Sequence, residues 1–281
     1  MSMSYAQNDW YVVGDIHKLA KDLPYQTALL GQSITVGGTA QDPRITTEDG
    51  TVLPVLLQYD HLWTSLGADP RPLFEIAEAQ QSTRTFVPCG GVTVRCSPLR
   101  AVENFLDIAH FPFVHTGILG EEPNTEVHPY KVEIREDVDE VWATQIGFHQ
   151  PQAAKSATTS IETQYQYRVP APTTAVLYKT CPPKPTEWDV IAIFVQPLAE
   201  DHCIAWPWMA LFDDVTPYAE LVQFQQEIFL QDRSILENQK PTLLPLDPKL
   251  EIPTRCDLTS VVYRRWLKRK GATYGALTTA A

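Results

Sequence analysis

The chain has 281 residues, 44% of them hydrophobic, with 34 acidic against 22 basic side chains and a formal net charge of −12. That length accommodates one large domain or two coupled ones around a sizeable core, and the acidic balance excludes a phosphate-rich partner such as nucleic acid. No apolar run reaches the ~18 residues of a membrane-crossing helix, and the opening Met-Ser-Met-Ser-Tyr-Ala lacks the pattern of a secretory signal, so a cytoplasmic protein without a membrane partner is expected.

In chain order, Trp10–Val13, Tyr25–Leu30 and Ser33–Val36 read as short strands. The turn-rich residues 38–51 read as a loop, and Val52–Trp63 as a strand pair. Together these make a small β unit with little core of its own. Residues 65–82 connect onward through a short helix over Pro72–Ala79, and Thr83–Cys96 reads as one strand. A helix is expected over Pro98–Phe111, with Pro98 in its first turn and Pro112 ending or kinking it.

From His128 to Asp213 strand candidates follow one another. Tyr130–Glu136 and Val138–Gly147 form a hairpin across Asp137. Ser160–Val169 alternates apolar and polar residues, as a half-buried strand does. Ala175–Cys181, Val190–Gln196 and Ile204–Phe212 continue the series. Strands without intervening helices imply an antiparallel sheet. The period then changes. Pro217–Gln239 is helical in spacing, and a last helix starts near Asp257 and ends in the basic run Arg264–Lys270, a solvated helix end. The expected class is α+β: a long antiparallel sheet curling around helices, one of them long and C-terminal, with a deep pocket for a small ligand.

The cysteines are Cys89, Cys96, Cys181, Cys203 and Cys256, widely spaced, with no Cys-x-x-Cys and no Cys-x-His. Disulfide frameworks, zinc ribbons and a self-contained iron–sulfur site are disfavoured, and buried thiols are expected. No glycine-rich phosphate loop occurs.

The densest chemistry lies in Glu103–His115, which sets Asn104, Asp107, His110 and His115 among apolar residues. Asp107 and His110, three apart, share a helix face, where the carboxylate can fix the imidazole's tautomer for a metal. His110 and His115 are five apart, roughly 140° around an ideal helix, and only a break at Pro112 lets them converge. Two ordinary hydrogen-bonded histidines are the alternative. On the 217–239 helix, Phe224, Ile228, Asp232 and Ile235 fall on one stripe, so Asp232 occupies an apolar position. A buried carboxylate requires a cation or several donors, and either a metal or a core-facing Arg or Lys meets that need. Two imidazoles and one carboxylate form the facial triad of non-haem Fe(II) oxygenases, with zinc hydrolysis as the rival chemistry. His17, His61, His128, His149 and His202 read as surface or core histidines. Trp206 and Trp208 read as core or pocket-lining residues.

The run Glu103-Asn104-Phe105-x-Asp107-x-x-His110-x-x-x-x-His115 resembles the iron-site signature of Rieske non-haem iron oxygenase large subunits. Phe229-x-x-Asp232-x-x-x-Leu236-Glu237-x-Gln239 resembles their later ligand-bearing helix. Arg264-Arg265-Trp266-Leu267 is similar to the closing helix of the monooxygenase and N-demethylase branch. The resemblance implies a helix-grip catalytic domain of the START and Bet v1-like kind. It implies mononuclear Fe(II) held by His110, His115 and Asp232, Asp107 as the carboxylate coupling the iron to an incoming cluster, and Asn104 beside the iron.

One departure from the family is expected to matter. The cluster-binding Cys-x-His and Cys-x-x-His motifs are missing, and only the loop at 38–51 stands where they belong. Residues 1–68 then correspond to a Rieske-like β remnant without its own [2Fe–2S] cluster, and 69–281 to the iron domain. The segment Glu103–Gly120 is similar to a cluster-less N-demethylase branch of bacterial caffeine degradation. That similarity implies N-demethylation of a methylxanthine such as 7-methylxanthine, with loss of formaldehyde. The implied partners are a Rieske-cluster-bearing NAD(P)H reductase, further oxygenase or structural subunits, and a small aromatic or purine substrate. Two other readings stand beside it: a non-catalytic scaffold subunit, and a small-ligand-binding module of the same fold.

Overall fold

The computed structural model describes residues 2–278. The N-terminal part comprises α1 (Ser2–Gln7), β1 (Tyr11–Asp15), α2 (Leu19–Asp22), β2 (Tyr25–Leu29), β3 (Gln32–Gly38), β4 (Pro43–Thr47), β5 (Val52–Leu53), β6 (Val55–Gln58) and β7 (His61–Thr64). They form two sheets, ordered β1-β7-β6 and β2-β3-β4-β5. β4 lies inside the segment expected to be a loop. Arg44 is exposed and Thr46 half-buried while Ile45 is fully buried, so the strand is short, polar and begins at a proline, which leaves its composition loop-like. The unit also has a core where little was expected: Leu19, Leu29, Ile34, Val36, Ile45 and Leu62 pack together out of solvent.

The expected helix over Pro72–Ala79 reduces to one 3-10 turn at Ala77–Gln80. The single strand expected over Thr83–Cys96 is two, β8 (Thr85–Pro88) and β9 (Val92–Val94). Cys89-Gly90-Gly91 separates them, with Gly90 at φ +78°, a left-handed conformation that glycine adopts without strain. After the helices that carry the site come β10 (Lys131–Arg135), β11 (Glu140–Gln150), β12 (Ile161–Ala171), β13 (Thr174–Thr180), β14 (Trp188–Ala199) and β15 (His202–Leu211). They form an antiparallel sheet ordered β10-β11-β12-β13-β14-β15-β8, with β9 also paired to β15.

Period-two alternation gives this sheet two faces. One carries Tyr165, Tyr167, Leu177, Ile193 and Ala205 into the main core. The other carries Val176, Val190, Ala192, Phe194 and Trp208 against Val12, Tyr59 and Trp63 of the N-terminal part. Trp206 and Trp208 therefore pack behind the sheet, and the intervening Pro207, with Met209, faces the cavity instead. Three helices pack on the main-core face of the sheet, in keeping with a sheet that curls around helices with one of them C-terminal. They are the nine-residue helix from Pro98, the helix over Tyr218–Leu236 and the last helix over Leu258–Lys270. Among the described residues no helix is long and apolar enough to cross a membrane.

Candidate metal centre

The helix α3 (Pro98–Leu106) starts with Pro98 in its first turn and Ser97 accepting the Leu99 N–H. It stops at Leu106, not at Phe111. Asp107 leaves the helical region at φ −82°, ψ 126°, and its Oδ1 accepts the Ala109 N–H at 2.8 Å. A short side chain bonding the backbone two residues on is a turn former. The chain then makes a one-turn helix, α4 (Phe111–Val114), with Pro112 near its start. Proline is well suited to a first turn, so Pro112 begins a helix here. His110 precedes this turn and His115 follows it, which brings their Nε2 atoms to 3.1 Å. Gly120 closes against the turn, where a Cβ would lie 2.8 Å from the Pro112 nitrogen.

The third group arrives on α5 (Tyr218–Leu236). Its buried stripe is Leu221, Gln225, Ile228, Phe229, Asp232 and Leu236. Ile235, expected on that stripe, is 37% exposed. Asp232 Oδ1 lies 3.2 Å from His110 Nε2 and 3.0 Å from His115 Nε2. That oxygen is buried and accepts no hydrogen bond.

The far nitrogens fix the two rings. His110 Nδ1 lies 3.0 Å from Asp107 Oδ2, and His115 Nδ1 lies 2.7 Å from Gln231 Oε1. Both partners are acceptors, so each Nδ1 carries a proton and each Nε2 offers a lone pair to the centre. Three lone pairs a little over 3 Å apart repel unless a cation lies between them. Donor atoms about 2.1 Å from one ion, at right angles, stand roughly 3 Å from each other, so the donor set fits a triad on one face of a metal. Until an ion binds, the surrounding carboxylates hold a proton on His110, which a metal would displace. Burial works against charging His110, yet Asp107 and Asp232 outweigh it and raise the imidazole to about 9. Burial likewise works against the Asp232 carboxylate, but the two histidines hold it down at about 2. His110, His115 and Asp232 are the residues whose ligand atoms converge for an ion among those described.

A cavity opens beside the triad, between the helices and the sheet. Phe105, Phe111, Leu177, Ile191, Met209 and Phe229 make its walls mainly apolar. Asn104 lines it as well. Asp107 instead faces an outer groove shared with Glu251, Arg264 and Arg265. Below that groove, Glu103 accepts hydrogen bonds from Arg100 at 3.2 Å and from Arg264 at 2.5 and 2.8 Å, which ties α3 to α6 (Leu258–Lys270). Gln231 and Gln225 escaped the sequence reading. Gln231 neighbours Asp232, a position next to a suspected ligand worth checking for a holder. Gln225 stands two turns before Asp232 on the same buried stripe, and spacing alone marks it.

The other histidines stay apart from this site. His17 pairs with Asp60 and His149 with Glu162. His61 is fully buried.

Residues 94–273 match the model of the vanillate O-demethylase oxygenase C-terminal domain. A probable methylxanthine N7-demethylase, NdmC of Pseudomonas sp. (strain TJI-51), is 41% identical over 279 residues, covering 97% of each chain. The chain belongs to the Rieske oxygenase family. The Rieske oxygenase fold extends along nearly its whole length. NdmA of Pseudomonas putida CBB5, solved with caffeine, superposes with a TM-score of 0.77 at 16% identity, over 95% of this chain and 91% of that one. Dicamba monooxygenase bound to 3,6-dichlorosalicylic acid superposes with a TM-score of 0.78 at 13% identity, over 95% and 98%. Membership in the Rieske oxygenases implies non-haem iron.

Proposed function

We propose that this chain is the iron-bearing component of a multi-component N-demethylase acting on a methylxanthine such as 7-methylxanthine. The observation that carries the proposal is the convergence of His110 Nε2, His115 Nε2 and Asp232 Oδ1 at 3.0–3.2 Å beside a mainly apolar cavity. The 41% identity to a probable methylxanthine N7-demethylase supports the substrate class.

His110, His115 and Asp232 would hold Fe(II), which when bound supplies dioxygen activation for oxygen insertion into a C–H bond. One oxygen atom enters the N-methyl group and the other leaves as water, with two electrons and two protons consumed. The resulting N-hydroxymethyl group breaks down to the N–H heterocycle and formaldehyde. Asp107 and Gln231 hold the ligand imidazoles in the tautomer that presents Nε2. Phe111, Tyr165 and Phe229 keep water from the reacting methyl group. Gln225 is buried in the cavity wall with an amide that meets no partner among the described residues. An amide offers one donor and one acceptor edge, the complement of a lactam in the substrate.

Electrons would come from a separate NAD(P)H reductase carrying a Rieske cluster. The absence of any Cys-x-His supports this, since the chain has no motif for a cluster of its own. Asp107 is the entry point on this reading: its side chain is 30% exposed, and it joins the outer groove to His110. Residues 1–68 are then the remnant of a cluster domain, and 69–281 the iron domain.

The test is reconstitution. The purified chain should take up about one Fe(II) and release formaldehyde from 7-methylxanthine with NADH and a cluster-bearing reductase. Asp232→Ala should abolish both. Steady product with a cluster-free flavin reductase would sink the electron route. A chain that takes up no iron under any condition would leave the scaffold reading standing.

A further inference from the structure

The sheet wall of the cavity holds an ionisable group that the demethylation scheme has not used. Lys179 lies on β13, between Tyr165 of β12 and Asp189 of β14 in the strand register. It is 6% exposed and lines the cavity with Asp189. Its Nζ donates to the carbonyl oxygen of Ala153, which belongs to the 151–160 segment. An ammonium has three N–H donors. The other two meet no acceptor among the described residues. Burial pushes the lysine down from its ordinary value, with Asp189 opposing. Burying an ammonium with donors unmet is costly, and a ligand that brings oxygen atoms recovers that cost.

We infer that Lys179 is a specificity-determining residue that donates to a carbonyl oxygen of the bound heterocycle from the sheet wall, facing the helix-borne triad. The inference rests on the demethylase reading above and names the part of the substrate that the wall recognises. A neutral carbonyl suits the site better than a carboxylate. Asp189 already stands opposite Lys179 in the strand register, and Asp213 lines the same cavity. A further carboxylate beside Asp189 and Asp213 would be repelled, whereas a carbonyl accepts N–H without adding charge. A xanthine carries two such carbonyls, and the apolar walls suit its ring faces.

The experiment is calorimetric titration of the full, iron-loaded chain with 7-methylxanthine, with 7-methylpurine (the same ring without the carbonyls) and with vanillate. The wild-type chain should bind 7-methylxanthine more tightly than 7-methylpurine by roughly ten- to a hundred-fold, the value of a hydrogen bond from a charged donor. Lys179→Met should cut that ratio by roughly ten-fold or more while iron content is unchanged, leaving only what the Gln225 amide contributes, and Lys179→Arg should restore part of it. A lysine that only ties down the 151–160 segment would change both affinities together and leave the ratio intact, which overturns the inference. If Lys179→Met fails to fold, the ratios of the wild-type chain and Lys179→Arg decide: equal binding of the two purines by the wild type overturns the inference. Binding of vanillate with no binding of 7-methylxanthine overturns the demethylase reading itself. Binding of both purines without discrimination overturns the roles of Lys179 and of the Gln225 amide and leaves the iron-site reading intact.

Discussion

Gln231 accepts the Nδ1 proton of His115 at 2.7 Å, one residue before the carboxylate that completes the triad. The same helix thus supplies one donor atom and aims another. A shift of α5 along its axis would move Asp232 and rotate His115 together, so the geometry of the site is set by the seating of one helix.

That arrangement makes Gln231→Leu informative. The His115 ring then loses the hydrogen bond at Nδ1, while the residues that offer lone pairs to the centre are all retained. Loss of such an outer partner weakens metal binding about ten- to a hundred-fold. Iron affinity measured by competition with a chelator should fall by that factor, and Gln231→Glu, which keeps an acceptor, should recover most of it. Wild-type affinity in Gln231→Leu would mean that packing alone aims the ring.

Gly120→Ala tests the turn between the two histidines. The added methyl would meet the Pro112 nitrogen at 2.8 Å and the Phe148 ring at 3.0 Å. Backbone between two ligands cannot retreat without moving them. Overpacking of this kind costs about 1–3 kcal/mol, and the melting temperature and the iron content should fall together. A lower melting temperature with full iron content would place the relaxation at Phe148 instead.

Glu103 supports the ligand segment from below. Arg100, 1% exposed, and Arg264 both donate to it, and Glu251 is their remaining carboxylate partner. Glu103→Ala leaves a buried guanidinium short of an acceptor, a loss on the order of 3 kcal/mol. The midpoint of urea unfolding should drop accordingly. A change below about 0.5 kcal/mol would mean that Glu251 takes over both arginines.

His61 predicts an acid response unrelated to iron. Its Nδ1 lies 2.6 Å from the Tyr59 carbonyl oxygen, its Nε2 is buried without a partner, and the rings of Phe194 and Trp206 stand edge-on to it. Burial pushes it from the ordinary 6.5 down to about 4. Between those two values the unfolded chain binds the proton and the native chain refuses it. This contribution is therefore complete above pH 6.5 and is lost as pH falls toward 4, by roughly 3 kcal/mol in all. His61→Phe should show a shallower loss of unfolding free energy across that window. Parallel pH profiles for the variant and the wild type would refute the assignment.

β12 was legible because its residues alternate, β11 and β13 to β15 because strand-like runs follow one another with no helix between them, and α5 and α6 because their apolar spacing is helical. The triad residues were legible one by one: His110 and His115 from their apolar surroundings, Asp232 from standing on a buried stripe. Two things were not. The route from Asp107 to His115 depends on a turn made by the Asp107 side chain and on Pro112 opening a helix, and proline at that spacing is equally compatible with ending one. Two further polar groups of the cavity wall, Gln225 and Lys179, lie on elements far apart in sequence and line one cavity only in the folded chain. β4 was missed because a short strand with one buried side chain has almost no period to read.

The N-terminal unit keeps its own packed interior around Ile34, Val36 and Ile45, while the tip joining β3 to β4 is exposed at Gln41 and Asp42. Lengthening a surface loop costs only about 0.6 kcal/mol per doubling. The hairpin is therefore a natural graft point. A redox-active loop transplanted there would leave the oxygenase cavity untouched, and the chain offers a starting scaffold for building a self-sufficient electron relay.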